Sequence, residues 1–365
     1  MEQKLKDLLA AVRPRDEAAY RAARLRLDGL CKPPGSLGRL EDIAACLAGV
    51  TGKVVNRLPK KAVVVCAADN GVAAEGVASA DPAFTRQQTI NITRGVTGVA
   101  VLARRAGADI IAADVGIDGP PCPPPVLDRR VARGTGNFCH GPAMTRAQAL
   151  KALLSGAALA REAKDAGYDI LGAGEMGIGN TTTAAAVLSV LTGSDPAAVT
   201  GRGAGLSGAA YRHKIEVIRR GIARNRPDPA DPLDVLAKVG GLDIAALTGL
   251  YLGAAAVRLP IVSDGFISTT AVLAALRLCP AARDFIIPSH KSAEPGFTVL
   301  TEAAGLSPML DLGMRLGEGS GCPLAFFLCD CACDLMADMA TLEEAAVGER
   351  YLTAMEHFDE GKGKA

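Results

Sequence analysis

Ala62-Val63-Val64-Val65-Cys66-Ala67, running straight into Ala68-Asp69-Asn70-Gly71, decides how this chain is read. Six apolar residues without alternation describe a strand covered on both faces, and such strands belong to parallel sheets flanked by helices. The polar residues begin where the strand ends. The pattern recurs: Asp109-Ile110-Ile111-Ala112-Ala113 precedes Asp114-Val115-Gly116-Ile117-Asp118, and Tyr168-Asp169-Ile170-Leu171 precedes a Gly/Thr cluster. Leu259-Pro260-Ile261-Val262 precedes Ser263-Asp264-Gly265, and Asp284-Phe285-Ile286-Ile287 precedes Pro288-Ser289-His290-Lys291-Ser292. Helical stretches separate these strands. The expected fold class is α/β: a doubly wound, mainly parallel sheet domain with right-handed crossovers and a smaller helical domain. Ligands of such sheets bind outside the carboxyl ends of the strands, so five loops converge on one site. That convergence favours an enzyme over a scaffold.

A chain of 365 residues with 49% hydrophobic content, mostly Ala, Leu, Val and Ile, supports one large α/β domain and a smaller part. Helices are expected over 4–12 and 15–29, with Gly38-Arg39-Leu40-Glu41-Asp42 opening a third after the rigid turn Cys31 to Gly38. A second helical group spans roughly 322–358. The two groups make residues 1–50 plus 322–365 the small helical domain and 51–321 the large substrate-binding domain. The tail from Gly361 to Ala365 reads as unstructured.

Net charge is +1 with no basic block, which argues against nucleic acid and anionic membrane surfaces. Met1 to Lys6 lacks the apolar core of a signal peptide, and no run reaches membrane-spanning length, so a cytoplasmic location is expected. Ten Cys in such a chain are expected to be reduced. Cys329, Cys331 and Cys333 have no accompanying Cys-x-x-Cys pair and read as small buried hydrophobes, so no metal site is expected.

Gly172-Ala173-Gly174-Glu175-Met176-Gly177-Ile178-Gly179-Asn180-Thr181-Thr182-Thr183 follows a strand and opens a helix. Backbone N–H groups at such a start bind anions without a basic side chain, although a plain Gly-rich turn fits the same residues. Gly172, Gly174 and Gly177 spell G-x-G-x-x-G, but the dinucleotide fingerprint also needs a strand-end acid roughly 20 residues on. Asp195 lies in the turn Gly193-Ser194-Asp195-Pro196 with no strand before it. A dinucleotide cofactor is therefore disfavoured, no cofactor is expected, and a mononucleotide with one phosphate stays open. Gly201-Arg202-Gly203 adds a flexible stretch with one cation, which in isolation reads first as a loop with a solvated Arg. Glu318, in Leu316-Gly317-Glu318-Gly319-Ser320-Gly321, precedes the apolar run Leu324 to Leu328. A carboxylate between glycines at a helix start suits a general base; a solvated Glu is the plainer alternative.

Taken in order, Lys32-Pro33-Pro34-Gly35-Ser36-Leu37-Gly38, Ala68-Asp69-Asn70-Gly71-Val72, Asn137-Phe138, Gly141-Pro142-Ala143-Met144, Gly174 to Thr182, Gly201-Arg202-Gly203, Asp264-Gly265-Phe266-Ile267-Ser268, Ser289-His290, Glu294-Pro295-Gly296 and Leu316 to Gly321 resemble the nicotinate-nucleotide:dimethylbenzimidazole phosphoribosyltransferases. The resemblance runs from about residue 30 to 345. It implies transfer of 5-phosphoribosyl from nicotinate mononucleotide to 5,6-dimethylbenzimidazole, giving α-ribazole 5′-phosphate and nicotinate for the lower ligand of cobalamin. It also implies a homodimer with a Rossmann-like large domain. The catalytic base falls on Glu318 and the phosphate loop on Gly177, Gly179, Asn180, Thr181 and Thr182. A base-contacting Gln falls on Gln88 and a Lys on Lys214. Glu175, Met176, Gly203, Asp264 and Ser292, in the quoted loops, complete the expected substrate-binding set. Many members of the family have His where Asn70 stands, and Ala78 to Pro82 match its Ser-x-x-Pro segment loosely. The acceptor therefore stays open between 5,6-dimethylbenzimidazole and another aromatic base such as a purine or phenol. A dehydrogenase and a noncatalytic small-molecule sensor are the rivals from other classes.

Overall fold

The computed structural model describes residues 1–203 and 205–347; the expected tail and the far end of the expected C-terminal helical group lie outside them. Six strands form one sheet: β1 (Lys61–Ala68), β2 (Ala108–Gly116), β3 (Leu127–Asp128), β4 (Ile170–Met176), β5 (Ile261–Ser263) and β6 (Ile286–Pro288). Their order is β3-β2-β1-β4-β5-β6, and every neighbouring pair is parallel. All of β1 is buried, as its unbroken apolar run requires. The strand order reverses between β1 and β4, which opens a crevice at the carboxyl ends of those strands. The five strands read from the sequence are present. β3 is an addition: two residues after a Pro-rich connection give no pattern to read.

β4 corrects the expected loop. It continues through Gly172-Ala173-Gly174-Glu175-Met176, leaving only Gly177-Ile178-Gly179 before helix Asn180–Thr192. A Cβ on Gly172 would lie 2.5 Å from the Cβ of Cys322, and one on Gly174 would overlap the carbonyl oxygen of Glu318. Two of the three glycines of G-x-G-x-x-G thus let the 317–322 segment press against the sheet. Phosphate approach does not explain them.

The chain divides into two compact units, and the division differs from the expected one. Met1–Pro14 joins Pro59–Phe327, while Arg15–Leu58 joins the residues from Leu328 onward. Helix Glu2–Ala11 groups with the sheet because it packs on helices Arg146–Asp165 and Leu242–Ala256. Helix Leu242–Ala256 is apolar on all sides and buried along almost its whole length.

Within the second unit, helix Glu17–Asp28 packs on helix Arg39–Thr51 and reaches the end of helix Cys322–Asp338. Arg26 Nε donates to the Met336 carbonyl at 2.7 Å, and Arg57 pairs with Asp334 and Asp338. Its turn is closed by a buried Lys32–Glu41 ion pair at 2.8 Å, with the Leu37 N–H donating to the same carboxylate at 3.0 Å. No disulfide forms among the described residues; Cys329 and Cys333 are buried, whereas Cys331 is partly exposed.

Candidate active site

A cavity of about 750 Å³ opens at the carboxyl ends of the strands. Its walls come from residues within 77–88, 175–181, 202–206, 264–268, 290–294 and 312–318, all in the larger unit. Glu318, Gln88, Glu175, Met176, Gly177, Gly179, Asn180, Thr181, Gly203, Asp264 and Ser292 line it. Thr182 does not: it is fully buried in its helix, with Oγ1 turned away from any hydrogen-bond partner among the described residues. Lys214 is also fully buried, but it reaches the wall through Thr181.

Glu318 has φ +63°, a left-handed conformation rare for a side chain with a Cβ. Buried acids on either side hold it there. Its own N–H donates to Glu175 Oε1 at 3.2 Å. The N–H groups of Gly319 and Gly321 donate to Asp264 Oδ2 at 3.1 Å and Oδ1 at 2.7 Å. Asp264, expected to bind substrate, commits both carboxylate oxygens to this loop, and His290 Nδ1 stands 3.6 Å from Oδ1. Burial pushes the Asp264 carboxyl up while His290 and the backbone N–H groups of Gly321, Gly265 and Gly319 oppose it. The Glu318 carboxylate accepts from Gln88 Nε2 at 2.6 Å and from the Val99 N–H at 3.2 Å. Gln88, expected against an aromatic ligand, lines the cavity with its amide engaged by the Glu318 carboxylate, and Asn91 donates to its oxygen at 3.4 Å.

Beside Glu318, Glu175 is buried, and burial, reinforced by Asp243 and Asp264, raises its pKa to about 8. Asn180 Nδ2 bridges Glu175 and Asp243, reaching the latter at 3.3 Å. Burial raises Asp243 to about 6. The Asn180 amide nitrogen is thus engaged by the two acids, while the residue itself lines the cavity. The Ile178 N–H donates to Thr85 Oγ1 at 3.1 Å, that of Asn180 to the Gly177 carbonyl at 3.2 Å and that of Thr182 to the Gly179 carbonyl at 2.9 Å. Gly179, at φ +90°, and Thr181 keep N–H groups without an acceptor among the described residues. Free N–H groups at the start of a helix beside a cavity are the arrangement that can accept an anion.

Lys214, on helix Gly208–Asn225, adds its charge by donating to Thr181 Oγ1 at 2.8 Å. Burial lowers its pKa to about 8, opposed by Glu294. Asp243, Thr85 and Glu294 escaped the sequence-based site list. Asp243 follows Gly240-Gly241 rather than a strand, and Thr85 lies in an ordinary helical stretch; only Glu294 stood in a quoted motif. Among the described residues no group of three or more His, Cys, Asp or Glu could hold a metal ion, and no helix is long and apolar enough to cross a membrane.

A family model for phosphoribosyltransferases, DBI_PRT, matches residues 12–347. The nicotinate-nucleotide–dimethylbenzimidazole phosphoribosyltransferase of Ruminiclostridium cellulolyticum is 51% identical over 329 residues, covering 90% of this chain and 93% of that protein. The protein of the same name from Desulforudis audaxviator is 49% identical over 346 residues, 94% of this chain and 98% of its own. The crystal structure of CobT from Thermus thermophilus superposes with a TM-score of 0.87 at 44% identity, covering 91% of this chain and 99% of that one. Matches of this extent leave no part of the cavity outside the compared region, and the chain belongs to the nicotinate-nucleotide–dimethylbenzimidazole phosphoribosyltransferase family.

Proposed function

We propose that this cavity transfers 5-phosphoribosyl from nicotinate mononucleotide to 5,6-dimethylbenzimidazole, releasing nicotinate and forming α-ribazole 5′-phosphate for the nucleotide loop of cobalamin. The observation that carries the reading is the pairing, in one cavity, of the Glu318 carboxylate with the Gly179 and Thr181 donors backed by Lys214. The donor's phosphate sits on those N–H groups. Its ring nitrogen is already a pyridinium, so the C1′–N bond breaks with the electron pair returning to a neutral ring, and no metal is required to activate it. The ribose passes through an oxocarbenium-like state, which negative charge around the cavity stabilises. One benzimidazole nitrogen forms the new C1′–N bond from the opposite face, turning a β-nucleotide into an α-product. The proton on the other nitrogen goes to Glu318.

Phe84, Met314 and Leu316 give part of the wall an apolar surface suited to a flat aromatic acceptor. A homodimer acting in the cytoplasm belongs to the same reading, supported by the family resemblance alone. The test is single-turnover release of nicotinate from nicotinate mononucleotide with a panel of benzimidazoles, purines and phenols. Glu318→Gln should slow the step by ~10²-fold or more while both substrates still bind. A near-full rate in that variant removes Glu318 from the role of base. A panel in which a purine or phenol outruns 5,6-dimethylbenzimidazole reassigns the acceptor without touching the reaction.

A further inference from the structure

Helix Phe84–Thr93 makes one side-chain hydrogen bond to each half of the cavity. Thr85 Oγ1 accepts from the Ile178 N–H at 3.1 Å, in the turn before the anion site. Gln88 Nε2 donates to Glu318 Oε1 at 2.6 Å, at the base. Residues three apart share a helix face, so one short rigid edge spans both contacts. Thr85 is fully buried, and its carbonyl accepts from Thr89 Oγ1 at 2.7 Å, which fixes the helix at that point. Burial raises the pKa of the Asp69 carboxyl, just past the end of β1, and the Thr85 hydroxyl partly opposes that rise.

We propose that Thr85 is a positioning residue that joins the phosphate turn to the base. By engaging the Ile178 N–H it holds the 177–179 turn in the conformation that turns the Gly179 and Thr181 donors toward the cavity. Through the shared helix it ties that turn to the Gln88 amide, and so to the Glu318 carboxylate. A shift of the turn on loading the donor moves Thr85, and the same helix carries the displacement to the base. The helix thereby links donor binding to the placement of the carboxylate that takes the acceptor's proton.

The inference rests on the proposed reaction, and its test separates the two. Binding of ribose 5-phosphate, measured by calorimetry, reports the phosphate turn without any turnover. Thr85→Val keeps shape but leaves the Ile178 N–H without an acceptor, so ribose 5-phosphate should bind about tenfold more weakly. Thr85→Ser should restore binding to near the wild-type value, which a purely structural role of the side chain's bulk would not do. For coupling, the readout is kcat/KM in Thr85→Val, Gln88→Leu and the double variant. The double variant should lose less than the product of the two single losses. Wild-type binding in Thr85→Val, an equal defect in Thr85→Ser, or multiplicative losses would each overturn the proposal. If Thr85→Val does not fold, Thr85→Ser and Thr85→Ala carry the comparison, with Ala weak and Ser restored as the expected result. A wild-type chain that binds ribose 5-phosphate but releases no nicotinate overturns the reaction and leaves the binding test of Thr85 standing.

Discussion

Lys214 is a cation in a place that resists cations. Burial lowers its pKa from the usual range to about 8, and Glu294 only partly opposes the shift. Its charge is therefore lost as pH rises through about 8. If its charge holds the donor's phosphate, kcat/KM for nicotinate mononucleotide should fall as pH rises through about 8. Lys214→Arg, whose guanidinium stays charged, should remove that limb. The same shift has a stability consequence. A Lys with a depressed folded pKa favours folding above its unfolded pKa and loses that contribution as pH falls through about 8. Lys214→Met should accordingly melt higher than wild type at pH 7 while binding the donor worse. A variant that melts lower and binds normally would show that Lys214 is structural. The sequence displayed the residue types around it but not their directions. Glu175, Asn180 and Asp264, expected to bind substrate, line the cavity and are also engaged with the 317–321 loop or with one another. A motif names side chains; which way each turns depends on contacts more than fifty residues away, such as Asn180 with Asp243 and Gly321 with Asp264.

The strands were legible as elements because a core between two helical layers demands unbroken apolar runs, and β1, β2, β5 and β6 have them. β4 was read too short. Glycine is poor in strands, so Gly172 and Gly174 looked like a loop. What keeps them in the strand is the 317–322 segment lying against it, a contact about 145 residues away that no local pattern reports. Gly174→Ala places a methyl onto the Glu318 carbonyl and must displace either the strand or the loop. Overpacking of this kind costs ~1–3 kcal/mol, visible as a lower melting temperature, and activity should drop further than stability because Glu318 moves. Gly141→Ala is the control, since nothing lies within 4 Å of its added Cβ. Equal behaviour of the two variants would mean that β4 tolerates the methyl and that the close approach is not required.

Topology was the most legible level of all. Alternation of strand and helix fixed a parallel sheet, and the strand order placed the crevice between β1 and β4, where segments from 77 to 318 meet. The division into units was less legible, because helix Glu2–Ala11 looks like its neighbours in sequence and differs only in what it packs against. The left-handed backbone at Glu318 bears on the whole molecule's fate. An L side chain there costs ~1–2 kcal/mol that glycine avoids, and the surrounding fold absorbs that cost permanently. Glu318→Gly and Glu318→Ala remove the same carboxylate and the same hydrogen bonds, so the Gly variant should unfold at the higher temperature; equal melting would mean the strain is absent. The backbone at this position favours glycine, while the bonds of the Glu318 carboxylate to Gln88 Nε2 and the Val99 N–H oppose that preference, so the ranking of Glu against Gly in the fold is set by two terms of opposite sign.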